Sequence, residues 1–256
     1  MTKLRASMVL GAALLAGSVA TASAADLHRG SIKDGYVPAA PMASSGPSWY
    51  LRIDGSHTRF DDPGMVENNV YDLHSTAIDN AWMLGGGIGH YFSKSVRGDI
   101  TWDHMFETDA RGTIGTAAGT PFPGGTRNFG VKSDVVLANL YYDIDTRSRF
   151  TPYIGVGLGA ARNVTTTGTV ADICGCTGTI AGDTQWSVAG ALMGGFSVAM
   201  RDRLHLDAGY RYLYLGEAHT GVITGTGVSA GTNSGDPAVK DIWSHQFRVG
   251  LRWDIR

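Results

Sequence analysis

The chain has 256 residues, 21 Lys and Arg against 23 Asp and Glu, 43% apolar residues and only 17% charged ones. That balance excludes a disordered chain, and the missing basic excess speaks against a nucleic-acid partner. Glycine, at 36 residues without a triplet period, excludes collagen and, with short apolar alternation, reads as turn-rich β-structure.

Residues 1–24 read as a secretory signal peptide: Lys3 and Arg5 open it, Met8 to Ala20 is apolar, and Ala22-Ser23-Ala24 supplies a small-residue cleavage pattern. Residues 25–47 hold three prolines and little apolar content and read as a flexible periplasmic leader. No later stretch of about 20 apolar residues offers a membrane helix.

From Ser48 the period becomes two, as in strands with one apolar and one polar face. Trp49, Leu51 and Ile53 oppose Tyr50, Arg52 and Asp54. Ala81 to Phe92 sets Trp82, Leu84, Ile88 and Phe92 against small residues. Val96, Ile100, Trp102 and Phe106 oppose Arg97, Asp99, Thr101 and Asp103. In Val131 to Asp143 the apolar side is Val136, Ala138, Leu140 and Tyr142, with Asn139 opposite. Thr151 to Ala161 opposes Ile154, Val156 and Leu158 to Tyr153, Gly155, Gly157 and Gly159. Gln185 to Val198 carries Trp186, Val188, Leu192, Phe196 and Val198 on one face. Leu204, Leu206, Ala208, Tyr210 and Tyr212 oppose Arg203, His205, Asp207, Gly209 and Arg211. Last, His245, Phe247, Val249, Leu251, Trp253 and Ile255 oppose Ser244, Gln246, Arg248, Gly250, Arg252 and Asp254.

These are eight strands, each long enough at about 9–11 residues to cross a bilayer when tilted. Long connectors (61–80, 107–130, 162–184, 217–242) alternate with short ones (93–95, 144–149, 200–202), which describes antiparallel hairpins with one ornate and one plain end. A soluble sandwich would bury the apolar faces; a transmembrane barrel turns them to lipid. Export, an even strand count, long strands and aromatics near strand ends favour the barrel. The predicted fold is therefore all-β: an eight-stranded antiparallel transmembrane β-barrel over 48–256, with four long extracellular loops and short periplasmic turns. Its lumen then holds Arg52, Arg97, Arg211, Arg248 and Arg252 against Asp54, Asp99, Asp103 and Asp207, nearly balanced in charge. Eight strands leave an interior just wide enough for side chains to fill, so these groups are expected to form an ion-pair network that plugs it, with Gly155, Gly157 and Gly159 leaving room for the arginines.

The signal ending Ala-Ser-Ala-Ala-Asp-Leu, the first strand starting Trp49-Tyr50, Thr151-Pro-Tyr-Ile-Gly-Val-Gly157, Asp207-Ala-Gly-Tyr-Arg-Tyr212 and the closing His245-Gln-Phe-Arg-Val-Gly-Leu-Arg-Trp253 together resemble the small outer-membrane β-barrels of Gram-negative, especially alphaproteobacterial, envelopes. The OmpA transmembrane domain, OmpX and the opacity-type adhesins share that architecture. The resemblance implies surface exposure with structural, adhesive or weak pore roles, and as partners outer-membrane lipid, lipopolysaccharide and the barrel-assembly machinery. Such chains usually end on an aromatic residue, whereas here Trp253 stands three places from the end.

Catalytic signatures are missing. Gly85-Gly86-Gly87 has neither a P-loop lysine nor a following helix. Ser244 and His245 are strand neighbours, so their side chains point to opposite faces and cannot form a nucleophile–base pair. His57, His74 and His219 lie at or beyond the long-loop ends, where a haem- or ligand-binding surface is one alternative and solvated histidines the other. Cys174 and Cys176 are a candidate loop disulfide, although the Cys-x-Cys ring is strained; two thiols without a His pair do not complete a zinc site. The expectation is a non-enzymatic outer-membrane surface protein without cofactor or metal, holding the envelope or presenting loops to host surfaces or phage. A narrow porin for small ions or solutes is the alternative.

Overall fold

A computed structural model describes residues 49–67, 71–114, 125–171, 175–225 and 237–255. The signal peptide and leader expected at 1–47 lie outside the described residues. Every described regular element is a strand: β1 (Trp49–Phe60), β2 (Gly64–Glu67), β3 (Tyr71–Ile78), β4 (Ala81–Tyr91), β5 (Val96–Ile114), β6 (Thr126–Asp143), β7 (Phe150–Thr165), β8 (Gly168–Ala171), β9 (Thr177–Ile180), β10 (Thr184–Arg201), β11 (Leu204–His219), β12 (Ile223–Gly225) and β13 (Ala238–Ile255).

Eight of these pair antiparallel in a closed ring, β1-β4-β5-β6-β7-β10-β11-β13, and β13 returns to β1. The closing ladder runs from Trp49 opposite Ile255 to Phe60 opposite Ser244. Closure removes sheet edges, so backbone amides along the ring pair with neighbouring strands without water.

The alternation has the expected sense. Trp49, Leu51, Ile53, Trp82, Trp102, Leu140, Leu158, Trp186, Leu251 and Trp253 are exposed on the outer wall. Their polar neighbours Arg52, Asp54, Arg97, Asp99 and Arg252 are buried inside. On β6 the outward side changes from Lys132 and Asp134 to Val136, Ala138, Leu140 and Tyr142. That change marks the upper limit of the apolar band.

The ornate end differs from its expected form. Among the described residues the long connections there carry five additional strands, and the ring strands run to 18 and 19 residues. β5 and β6 stay paired from Thr108–Val131 up to Thr113–Thr126, past an irregularity after Met105. Beyond the band, β2 and β3 bridge β13 to β5, while β8, β9 and β12 follow on from β6. Glycine and threonine there resemble loop composition, but Phe129, Val131, Val170, Ile180 and Ile223 alternate inward and are buried. Burial of that face is what keeps the ladder going.

Candidate functional site

The interior has two tiers. The tier towards the plain end is charged. Arg52 and Asp54 are two residues apart on β1, so both face inward, and the Arg52 fork grips Asp54 through two hydrogen bonds of 2.6 and 3.0 Å. Arg52 also donates to Asp99 (2.9 Å) and to the Tyr141 hydroxyl (2.8 Å). Asp99 accepts further from Tyr50 (3.0 Å) and Asn139 (2.7 Å). Arg248 reaches Asp54 at 3.0 Å and Asp103 at 3.7 Å, and Arg211 donates to Asp103 at 2.7 Å. The charges thus form a cross-barrel chain, Asp99–Arg52–Asp54–Arg248–Asp103–Arg211, contributed by β5, β1, β13 and β11.

The remaining named residues stand apart from that chain. Arg97 pairs with Asp143 of β6 at 2.9 Å, and its guanidinium lies 4.2 Å from the Tyr141 ring centre and 5.1 Å from that of Tyr153. Arg252 donates to Ser197 (2.8 Å), while Asp207 stands 3.5 Å from it. Asp254 is held by Tyr91 (2.8 Å) and His205 (2.9 Å). Asp143, Asp254, Tyr50, Tyr141, Asn139 and Ser197 were not among the expected network members. Parity alone puts Asp143 and Asp254 inside; which carboxylate meets which arginine depends on distances across the barrel.

The lumen glycines make room for near neighbours rather than for arginines, which corrects the sequence expectation. A Cβ on Gly155 would fall 2.6 Å from the Tyr141 ring, and one on Gly157 would fall 2.3 Å from the Asn139 amide oxygen. One on Gly159 would meet the Val136 carbonyl. The tightest aromatic case is Gly89, whose Cβ would lie 2.1 Å from the Tyr50 ring.

The second tier, towards the ornate end, is apolar. Met83, Met105, Leu213 and Leu215 are buried above the charged chain, while Val135 and Leu137 stand opposite Asp103 and Thr101 at its level. Phe60, Met65, Leu73, Phe129, Val239 and Ile242 continue this core into the added strands. Nothing in the sequence reading singled it out, because its residues come from segments read as loops or, like Met83 and Met105, sit on the inner side of a strand with no charge to mark them.

At the rim between the apolar wall and the added strands, polar side chains face outward. His104 meets Asp134 at 2.8 Å, with Arg162 at 3.6 Å from the same carboxylate. His245 contacts Asp61 at 2.8 Å and the Tyr210 hydroxyl. Ser244 is buried inside and bonds to the Leu213 carbonyl, so it is no partner for His245. His57 packs against Trp82 and His219 lies beside Glu217, so these two belong to different places. Among the described residues no three His, Cys, Asp or Glu side chains converge on a metal position. Cys176 is disulfide-bonded, and Cys174 lies outside the described residues.

The chain is similar to several proteins of other bacteria. An uncharacterized protein of Brucella abortus is 28% identical over 93% of this chain and 94% of its own. A candidate adhesin of Rickettsia prowazekii is 26% identical over 81% and 87%. Neisserial surface protein A, a solved structure, is 20% identical over 81% of this chain and 97% of its own, with a TM-score of 0.45. The family model for the outer membrane protein beta-barrel domain matches residues 11–254. With its closed antiparallel ring and apolar outer wall, the chain belongs to the outer-membrane β-barrel family.

Proposed function

We propose that this is a non-conducting, non-enzymatic surface protein of the outer membrane. In this reading an eight-stranded transmembrane barrel anchors a rigid head, from which four long extracellular connections meet host surfaces or phage. Residues 1–24 direct export, 25–47 form a periplasmic leader, and the short turns face the periplasm. Lipopolysaccharide surrounds the upper wall, and the barrel-assembly machinery inserts the chain.

The observation that carries this reading is the filling of the lumen along its height. Arg97 and Arg211 are at most 1% exposed in the charged tier, and Leu213 and Leu215 are at 0% above them. A water path for ions would leave such side chains wet. The network of Arg52, Asp54, Asp99, Asp103, Arg211 and Arg248 then acts as a lock holding the strands in register. The Rickettsia relative supports the adhesive role by its name alone.

The test has two parts. The refolded chain in a planar bilayer is expected to give no steady conductance; a reproducible salt-dependent conductance would make the narrow porin the better reading. Replacing residues 226–236 with a short glycine–serine turn is expected to abolish cell or phage attachment while the heat-modifiable gel shift of the folded barrel persists. Attachment that survives trimming of all four connections would refute the surface role.

A further inference from the structure

The plain end carries a charge imbalance that the network does not absorb. Its three turns and the strand end leading into the last hold Lys94, Arg147, Arg149, Arg201 and Arg203 against only Asp145 and Asp202. Among the described residues none of these five cations has a carboxylate within ion-pair distance. The outer rim of the ornate end is mixed instead, with Asp61, Asp62, Asp79, Glu107, Asp109 and Asp134 beside exposed Arg59, Arg111 and Arg162.

Two of the plain-end cations share a built cleft. The turn before β7 and the end of β10 are tied by a hydrogen bond from the Ala199 amide to the Arg149 carbonyl (2.9 Å). Between them opens a cleft of about 450 Å³ lined by Arg149, Ala199, Met200, Arg201, Asp202 and His205. Ala199 and Met200 form its apolar part. Met200 is 55% exposed, and the Phe150 and Phe196 rings stack 5.1 Å apart on the outer wall beside it. His205 is already engaged by Asp254 (2.9 Å). Asp202 lines the cleft and pairs with neither arginine. Unpaired guanidinium groups directly against exposed apolar side chains match a molecule with an anionic head and a hydrocarbon tail.

We infer that the cleft between Arg149 and Arg201 binds the phosphate headgroup of an anionic glycerophospholipid in the inner leaflet, with an acyl chain along Met200, Phe196 and Phe150. Two guanidinium groups facing one carboxylate leave a net positive site, which an anionic head neutralises and a zwitterionic head does not. The leaflet assignment rests on the orientation proposed above, with the short turns inward.

The experiment uses the full mature chain folded in detergent, with phosphatidylglycerol and phosphatidylethanolamine offered in equal amounts and retention read by native mass spectrometry. The wild type should retain phosphatidylglycerol preferentially. Arg149→Gln with Arg201→Gln should reduce that preference by about fivefold for each arginine removed, while Arg162→Gln at the opposite rim should leave it intact. Equal retention of both lipids by the wild type, an unchanged preference in the double variant, or an equal loss in the Arg162 variant would overturn the site. Displacement of the lipid by excess inorganic phosphate would make the free ion the ligand and overturn the lipid assignment. Orientation is read separately: an epitope inserted after Thr146 should stay hidden on intact cells, and its exposure would overturn the leaflet assignment while the detergent measurement still decides the headgroup site.

Discussion

Arg211→Ala is the most informative single perturbation of the lumen. Arg211 is fully buried, donates to Asp103 at 2.7 Å and donates to the Gln246 side-chain amide oxygen Oε1. Truncation leaves Asp103, itself 2% exposed, with only Arg248 at 3.7 Å, and Arg248 is already committed to Asp54 at 3.0 Å. Breaking a buried pair by deleting one partner costs about 3–5 kcal/mol. The bared Gln246 acceptor adds to this, whereas Arg248 and water entering the vacated space offset part of it. The expected loss is about 3 kcal/mol, which at a urea slope of about 1–3 kcal/mol/M lowers the unfolding midpoint by roughly 1–3 M. Tryptophan fluorescence of the chain refolded into lipid vesicles reads that midpoint. The pair Arg211→Met with Asp103→Leu should recover most of the loss, because an apolar pair carries no uncompensated charge and Val135 stands opposite Asp103 on the neighbouring strand. An unchanged midpoint for Arg211→Ala, or a double variant as damaged as the two single changes combined, would refute the account of the network. The partner at risk is Asp103. Asp207, four residues away on the same strand, is instead nearest to Arg252.

Three further outcomes follow from the geometry. Gly89→Ala places a methyl group against the Tyr50 ring and should lower stability by about 1–3 kcal/mol, readable in the same titration; Tyr50→Ala in that background should restore part of it if overpacking is the cause. Leu251→Arg, within the apolar wall opposite Ile53 and Leu206, should cost about 2–4 kcal/mol, whereas His57→Arg near the rim should cost about 0–1 kcal/mol; equal costs would mean the band has been misplaced. His245→Ala removes contacts to Asp61 and Tyr210 on an exposed wall and should change stability by less than about 1 kcal/mol, with no lipid-hydrolysing activity in either form; activity in the wild type lost in the variant would reopen the enzymatic reading.

The ring strands were legible because lipid on one side and a polar lumen on the other force a two-residue period that survives to the last position of β13. That same logic assigned Val136, Ala138 and Leu140 to the outer wall, although β6 carries apolar residues on both sides. It says less about Val135 and Leu137, which are apolar on the inner side. There the period marks neither face as polar, and the segment from Thr126 reads as loop. The charged residues were legible as a set, since parity places them, but their pairing was not. Arg97 finds Asp143 rather than Asp99, two positions along its own strand, because Asp99 is already taken by Arg52, Tyr50 and Asn139. The basic cleft at the plain end was invisible for a related reason: Arg149 and Arg201 are far apart in sequence and meet only because β7 and β10 are laid side by side.

The ladder between β1 and β13 also governs how the molecule assembles. Every other junction in the ring joins strands that follow one another along the chain apart from the short insertions, so each hairpin can zip from its own turn. The Trp49–Ile255 seam joins the first ring strand to the last and must wait until the intervening hairpins have bent into a cylinder. Such long-separation contacts slow folding, and until they form both strands present open edges. The Arg248–Asp54 bridge spans this very seam, which makes it a clasp between opposite ends of the ring. Weakening it should act on the final shutting of the cylinder more than on the hairpins that precede it.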